Sequence, residues 1–201
     1  MRDILKKEYR ENKEKIIKRL EEFKDLPRKE YIYEYIFCLL TPQSNAKKCW
    51  QAVEEIKKLD KIDKDLIISI IRTKTRFHNN KSKFIIEALK NWINVEKRLI
   101  DERDIIKLRN WLAENVMGYG LKEASHFLRN IGKSENKIAI LDRHILKNLM
   151  DLDVINEDKI RNKNNYFNFE QRFISFSSEI GIPLDHLDLL FWSKENGEIF
   201  K

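Results

Sequence analysis

The chain has 201 residues, 36% of them charged and 42% hydrophobic, and its 40 Lys and Arg exceed its 33 Asp and Glu by seven. That length can bury a real core as one domain or two small lobes, and five Gly with three Pro are too few for a turn-rich β-sandwich. Two cysteines, Cys38 and Cys49, cannot build a disulfide framework, a four-thiolate zinc site or an iron–sulfur cluster. No apolar run reaches signal-peptide or membrane-span length, so the expected compartment is the cytoplasm.

The apolar spacing is helical nearly throughout. Ile4/Leu5, Tyr9, Ile16/Ile17, Leu20 and Phe23 predict a first amphipathic helix that Pro27 closes. Tyr31/Ile32, Tyr35/Ile36 and Leu39/Leu40 predict a second, apolar around most of its circumference and therefore central. Thr41-Pro42-Gln43-Ser44-Asn45 is rich in capping residues, and Cys49/Trp50, Val53, Ile56 and Leu59 follow as a third helix. Further helices are predicted at about 63–72, 80–99, 102–116, 121–131, 143–150, 167–180 and 184–193. No strand pair carries a credible turn, so the fold class is all-α with roughly ten helices.

The most informative stretch is Val116-Met117-Gly118-Tyr119-Gly120-Leu121-Lys122-Glu123-Ala124, a helix end, a tight hairpin and a new helix. Two of the five glycines lie here, and without a Cβ the backbone N–H groups of Gly118 and Gly120 can approach an anion that the helix N-terminus also favours. The same residues also fit an ordinary turn between helices. A cationic stretch lies upstream. Residues 72–90 hold Arg72, Lys74, Arg76, Lys81, Lys83 and Lys90 against only Glu87, a surplus of five. This is a candidate phosphate-tracking surface or a solvated helix face.

Four segments in order resemble the helix–hairpin–helix DNA glycosylase superfamily. They are Leu39-Leu40-Thr41-Pro42-Gln43-Ser44, Arg76-Phe77-His78-Asn79-Asn80-Lys81-Ser82, the hairpin with Lys122, and Ala139-Ile140-Leu141-Asp142-Arg143-His144-Ile145. The superfamily's endonuclease III and adenine glycosylases carry a four-cysteine cluster loop, which this chain lacks, and there is no room for the extra β-domain of the eukaryotic 8-oxoguanine enzymes. What remains is similar to the short archaeal type-2 8-oxoguanine DNA glycosylase/lyases, including a tail, Leu189 to Lys201, that contains Trp192 and ends in lysine.

The resemblance implies a two-lobed helical fold, residues 35–116 against 1–34 plus 117–201, acting as one unit of residues 1–201 with the active site in the cleft between lobes. It implies Lys122 as the nucleophile that attacks C1′ of a damaged nucleoside and Asp142 as the carboxylate that stabilises charge on the sugar. The alternative for Lys122 is a solvated lysine; for Asp142 it is an N-cap of the following helix, a role compatible with catalysis. Base flipping leaves a gap in the duplex, for which Gln43 is the candidate filler and Phe77 a wedge or pocket face. A loop amide and a core aromatic are their plain alternatives. Trp192 is placed to stack on the extruded base or to pack in the core, and Lys201 to read the lesion or to fray as a tail. Arg76, Lys81 and the two glycines are expected at the DNA backbone, and His144 at a packing position or a phosphate.

No cofactor or resident metal is implied, although related hairpins hold a monovalent cation through their carbonyls. The implied partner is double-stranded DNA containing oxidised guanine, met by a monomer without a membrane and at the nucleoid. Two other functions fit the same residues: a glycosylase/lyase for oxidised pyrimidines, and a non-catalytic hairpin module that binds DNA.

Overall fold

The structure, a computed structural model, describes residues 2–61 and 63–201. Among these residues there are ten α-helices, a short 3-10 turn and no strand. In chain order the helices are α1 (Arg2–Lys24), α2 (Tyr31–Leu40), α3 (Ala46–Ile56), α4 (Lys64–Ile71), α5 (His78–Asp101), α6 (Ile105–Asn115), α7 (Leu121–Asn130), α8 (Arg143–Asp151), α9 (Lys163–Ile180) and α10 (Leu184–Asn196). No helix among the described residues is long and apolar enough to cross a membrane.

Several helix starts follow directly from side-chain capping, which satisfies N–H groups that have no partner inside the helix. The Asp63 carboxylate accepts from Asp65 and Leu66, Asp104 from Ile106 and Lys107, and the Asn45 amide oxygen from Lys48. Asn162 accepts from the Asn165 N–H, so α9 starts at Lys163, ahead of its first buried residue, Tyr166, and of the start expected at 167. A polar first turn is invisible to hydrophobic periodicity.

The chain divides into two compact units, Leu26–Phe127 and Met1–Asp25 with Leu128–Lys201. The first opens at Pro27 and the 3-10 turn Arg28–Glu30. Its centre is α2, where Tyr35 through Leu40 are all buried, and α2 packs on α3 and α5. Tyr35 sits in an aromatic cluster with Trp92, Tyr119 and Phe127, at ring separations of 5.4, 5.0 and 5.3 Å. Such offset and edge contacts add to simple area burial.

The other unit joins the two ends of the sequence. Here α1 packs on α10, which also packs on α8 and α9, around Ile16, Phe23, Ile145, Leu149, Phe173 and Phe191. Gly132 lies where a Cβ would come within 2.6 Å of the Lys24 Cα, so only glycine lets this loop rest on the end of α1. Helix α7 is shared in sequence: Leu121–Phe127 belong to one unit and Leu128–Asn130 to the other.

Candidate active site

In the Leu26–Phe127 unit, the hairpin follows α6 and turns at Gly118, whose φ is +89°. A Cβ there would meet Phe84 Cδ2 at 2.6 Å and Leu39 Cδ2 at 3.1 Å, so the turn is pressed onto α5 and α2 as only glycine allows. Tyr119 is buried between the two glycines and its hydroxyl donates to the Tyr35 carbonyl at 2.8 Å. The Gly120 N–H, expected at a DNA phosphate, donates instead to Glu123 Oε2 at 3.0 Å. A glutamate three residues into a helix commonly closes its start in this way, so the anion at this helix N-terminus is the chain's own.

Lys122 stands in the first turn of α7 with its side chain 23% exposed, and its Nζ lies 2.8 Å from Glu123 Oε1. Glu123 therefore caps the helix and holds the lysine head at once. Its place as the third residue after Gly120 is the sequence signal for this cap.

The loops after α2 and α4 belong to the same unit. Gln43 is exposed with φ +55°, and Phe77 is 54% exposed with φ +57° at the start of α5. Phe77 is thus a projecting ring and not a core aromatic, with the Arg76 guanidinium 5.5 Å from its centre. Non-glycine residues are strained in this left-handed region and persist where their surroundings over-determine them.

Lys81 is not a surface cation, and its expected phosphate contact is corrected here. It is 4% exposed, and its ammonium donates to the carbonyls of Leu40 at 2.7 Å and Pro42 at 2.8 Å and to the hydroxyls of Thr75 at 2.6 Å and Ser44 at 3.1 Å. Burial pulls its pKa down to about 8, with Lys122 and Arg76 acting the same way and Cys49 and Glu123 opposing. The sequence did carry the warning: Lys81, Ile85 and Ala88 share the buried stripe of α5 at helical spacing. The surplus over 72–90 shrinks further because Lys74 pairs with Glu55 at 3.1 Å, and Lys90 holds the already counted Glu87 at 2.9 Å. Arg72, Arg76 and Lys83 remain exposed.

In the other unit Asp142 caps α8, its Oδ1 accepting from the N–H groups of His144 at 2.8 Å and Ile145 at 2.9 Å. That cap fixes the carboxylate while leaving it partly accessible. Trp192 of α10 is half-buried and its ring lies 5.2 Å from that of His144, which makes His144 a packing residue. Lys201 is 9% exposed, so this residue is packed and not frayed. Among the described residues no group of three or more His, Cys, Asp or Glu is arranged to hold a metal ion.

Behind this surface lies a buried charged pair that sequence reasoning missed, with Arg129 Nη2 3.1 Å from Asp188 Oδ2. Burial outweighs the attraction of Arg129 and, with the Asp142 and Asp185 carboxylates nearby, pushes the Asp188 carboxyl up to about 7. The adjacent Asp185 accepts a hydrogen bond from Ser134 at 2.6 Å.

A lysine beside a helix hairpin and an aspartate capping a later helix can be compared with known proteins. The family model described as 8-oxoguanine DNA glycosylase matches residues 16–182. An 8-oxoguanine DNA glycosylase/AP lyase of Fusobacterium nucleatum is 39% identical, covering 98% of this chain and 96% of its own, and one of Thermoplasma acidophilum is 35% identical, covering 92% and 91%. Among solved structures, the 8-oxoguanine DNA glycosylase of Thermotoga maritima superposes with a TM-score of 0.88 at 28% identity, covering 100% of this chain and 98% of that one. The Methanocaldococcus jannaschii 8-oxoguanine glycosylase/lyase, solved with a 15mer DNA containing 8-oxoguanine, gives 0.87 at 28% identity over 98% and 100%. Relatives are both bacterial and archaeal, so the likeness is wider than the archaeal group that the tail suggests. By its sequence along nearly its whole length, and by its all-helical fold, this chain belongs to the 8-oxoguanine DNA glycosylase family.

Proposed function

We propose that this chain excises 8-oxoguanine from duplex DNA and then cuts the strand at the abasic site, with Lys122 as nucleophile and Asp142 as the charge-stabilising carboxylate. The observation that carries the assignment is Lys122 itself, a largely buried lysine in the first turn after the hairpin. A non-catalytic DNA-binding module would need neither that lysine nor a rigidly capped Asp142. An oxidised-pyrimidine enzyme is disfavoured by the family to which the chain belongs.

In the reaction, the neutral Lys122 amine forms a bond to C1′ as the N-glycosidic bond breaks, and the electron pair leaves with the base, which takes up a proton. Positive charge builds on the sugar in this step, and the Asp142 carboxylate offsets it. Opening of the sugar ring gives an imine between Lys122 and C1′. Loss of a C2′ proton and cleavage of the C3′–O bond then release the 3′ phosphate by β-elimination, and hydrolysis of the imine frees the lysine.

Gln43 and Phe77, exposed on adjoining loops, suit the gap left by the flipped base, and Arg76 beside Phe77 suits a phosphate. Trp192 supplies an aromatic face for the extruded base. Lys201 supplies an ammonium as donor for the purine edge. We assign no cofactor to the chemistry. A monovalent cation at the hairpin would share the Val116 and Gly120 carbonyls with the N–H groups of Tyr119 and Ala124. The enzyme is proposed to act as a monomer on nucleoid DNA in the cytoplasm.

Borohydride trapping tests the assignment. Wild type should form a covalent complex with 8-oxoguanine duplex, and Lys122→Gln should form none; a trapped adduct that survives the substitution overturns Lys122 as nucleophile.

A further inference from the structure

Lys81 is a buried cation of the Leu26–Phe127 unit with four oxygen partners, and nothing in the reaction above uses it. Its three N–H donors face four oxygens within 3.1 Å. One of them, the Leu40 carbonyl, ends α2, where helix carbonyls lack partners and a cation is favoured.

The four oxygens come from two loops. Leu40, Pro42 and Ser44 flank Gln43, and Thr75 precedes Arg76 and Phe77. The loops are also tied to each other: Ser44 Oγ lies 2.8 Å from Thr75 Oγ1 and accepts the Arg76 N–H at 2.9 Å, while Thr75 Oγ1 donates to the Leu40 carbonyl at 2.9 Å. Gln43 and Phe77, the two non-glycine residues of this unit with a positive φ and both exposed, each sit next to a residue of this cage. Strain of this kind lasts only where bonds to neighbours enforce it.

We infer that Lys81 is a positioning residue for base flipping: from inside the protein its ammonium locks the Gln43 and Phe77 loops in the conformation that enters the duplex. The inference rests on the assignment of Gln43 and Phe77 to the flipped-base gap. Lys81 touches neither DNA nor the reacting atoms. Its pKa of about 8 adds a signature, because above that pH a neutral amine has two donors for four acceptors.

The test compares Lys81→Met with wild type on two duplexes, one carrying 8-oxoguanine and one a preformed abasic site from which no stacked base need be expelled. In a Lys122→Gln background, 2-aminopurine opposite the lesion reports entry of the loops into the stack. Misplacing a positioning group by about 1 Å costs on the order of 10²-fold. Lys81→Met should therefore slow cleavage of the 8-oxoguanine duplex by about that factor, slow the abasic duplex by less than about fivefold, and abolish the fluorescence rise. If Lys81→Met does not fold, Ser44→Ala, which keeps the ammonium but removes the tie between loops, should show the same split at about 5–10-fold. Equal losses on both duplexes, or a full fluorescence rise in the variant, would overturn the inference. Failure of wild type to cleave either duplex would instead defeat the glycosylase/lyase assignment and leave the role of Lys81 to the fluorescence measurement.

Discussion

Apart from Lys122 on α7, the two compact units present their proposed functional side chains by different means. In Leu26–Phe127 the exposed groups Gln43, Arg76 and Phe77 sit on loops, and the loops are held by one buried ammonium surrounded by neutral oxygens. In the other unit Asp142 sits on a helix cap and Trp192 on a helix, and the buried groups behind them, Arg129, Asp185 and Asp188, are charged or titratable. The cage offers the Lys81 ammonium no carboxylate, and burial lowers its pKa to about 8. A carboxylate pair in a desolvated interior brings protonation into the range of ordinary working pH.

Three measurements can break or sharpen this contrast. The largest effect is expected at Asp142, where charge and cap coincide. Asp142→Asn keeps a good capping residue, so activity on 8-oxoguanine duplex should fall about 10²–10³-fold while stability stays within roughly 0.5 kcal/mol. Asp142→Ala should lose both, with about 1 kcal/mol of stability gone with the cap. Equal melting losses in the two variants would mean that the carboxylate, and not the cap, holds α8.

Asp188 tests the charged backing. Its folded pKa is raised, so the native state holds its proton more tightly than the unfolded chain; the stability this contributes is complete at acid pH and is lost as pH rises toward about 7. Asp188→Asn has no such loss. It should melt with wild type below about pH 4 and be more stable by on the order of 2 kcal/mol near pH 8. A variant less stable than wild type at pH 8 would show that attraction to Arg129 outweighs the cost of burial.

Arg76 should give the smallest effect, because it is an exposed loop residue. Arg76→Ala should weaken duplex binding less than about tenfold and reduce the dependence of log K on log salt by about one. An unchanged salt slope would remove Arg76 from the DNA backbone.

What the sequence made legible divides along physical lines. Helix count and order followed from apolar spacing, and Asp142 could be read as a cap from its place before an amphipathic run. The aromatic Phe77 and the loop amide Gln43 were found only through resemblance, since nothing local announces a left-handed φ at either residue. Lys81 was misplaced because a run of six cations looks like a surface, and its oxygen partners are 37–41 residues away in the chain for Leu40, Pro42 and Ser44. Asp188 and Arg129 were missed for a related reason: a buried ion pair depends on tertiary proximity, which composition does not report.

The unit formed from the two ends of the chain has a consequence for synthesis. Helix α1 is made before the whole Leu26–Phe127 unit, whereas its packing partner α10 is made after it. At about 5–20 residues per second, α1 waits roughly 8–30 s for that partner, while Leu26–Phe127 has already emerged in one continuous piece. The nascent protein therefore spends that interval with the hairpin unit free to fold and the apolar face of α1, including Leu5, Ile16 and Phe23, still uncovered.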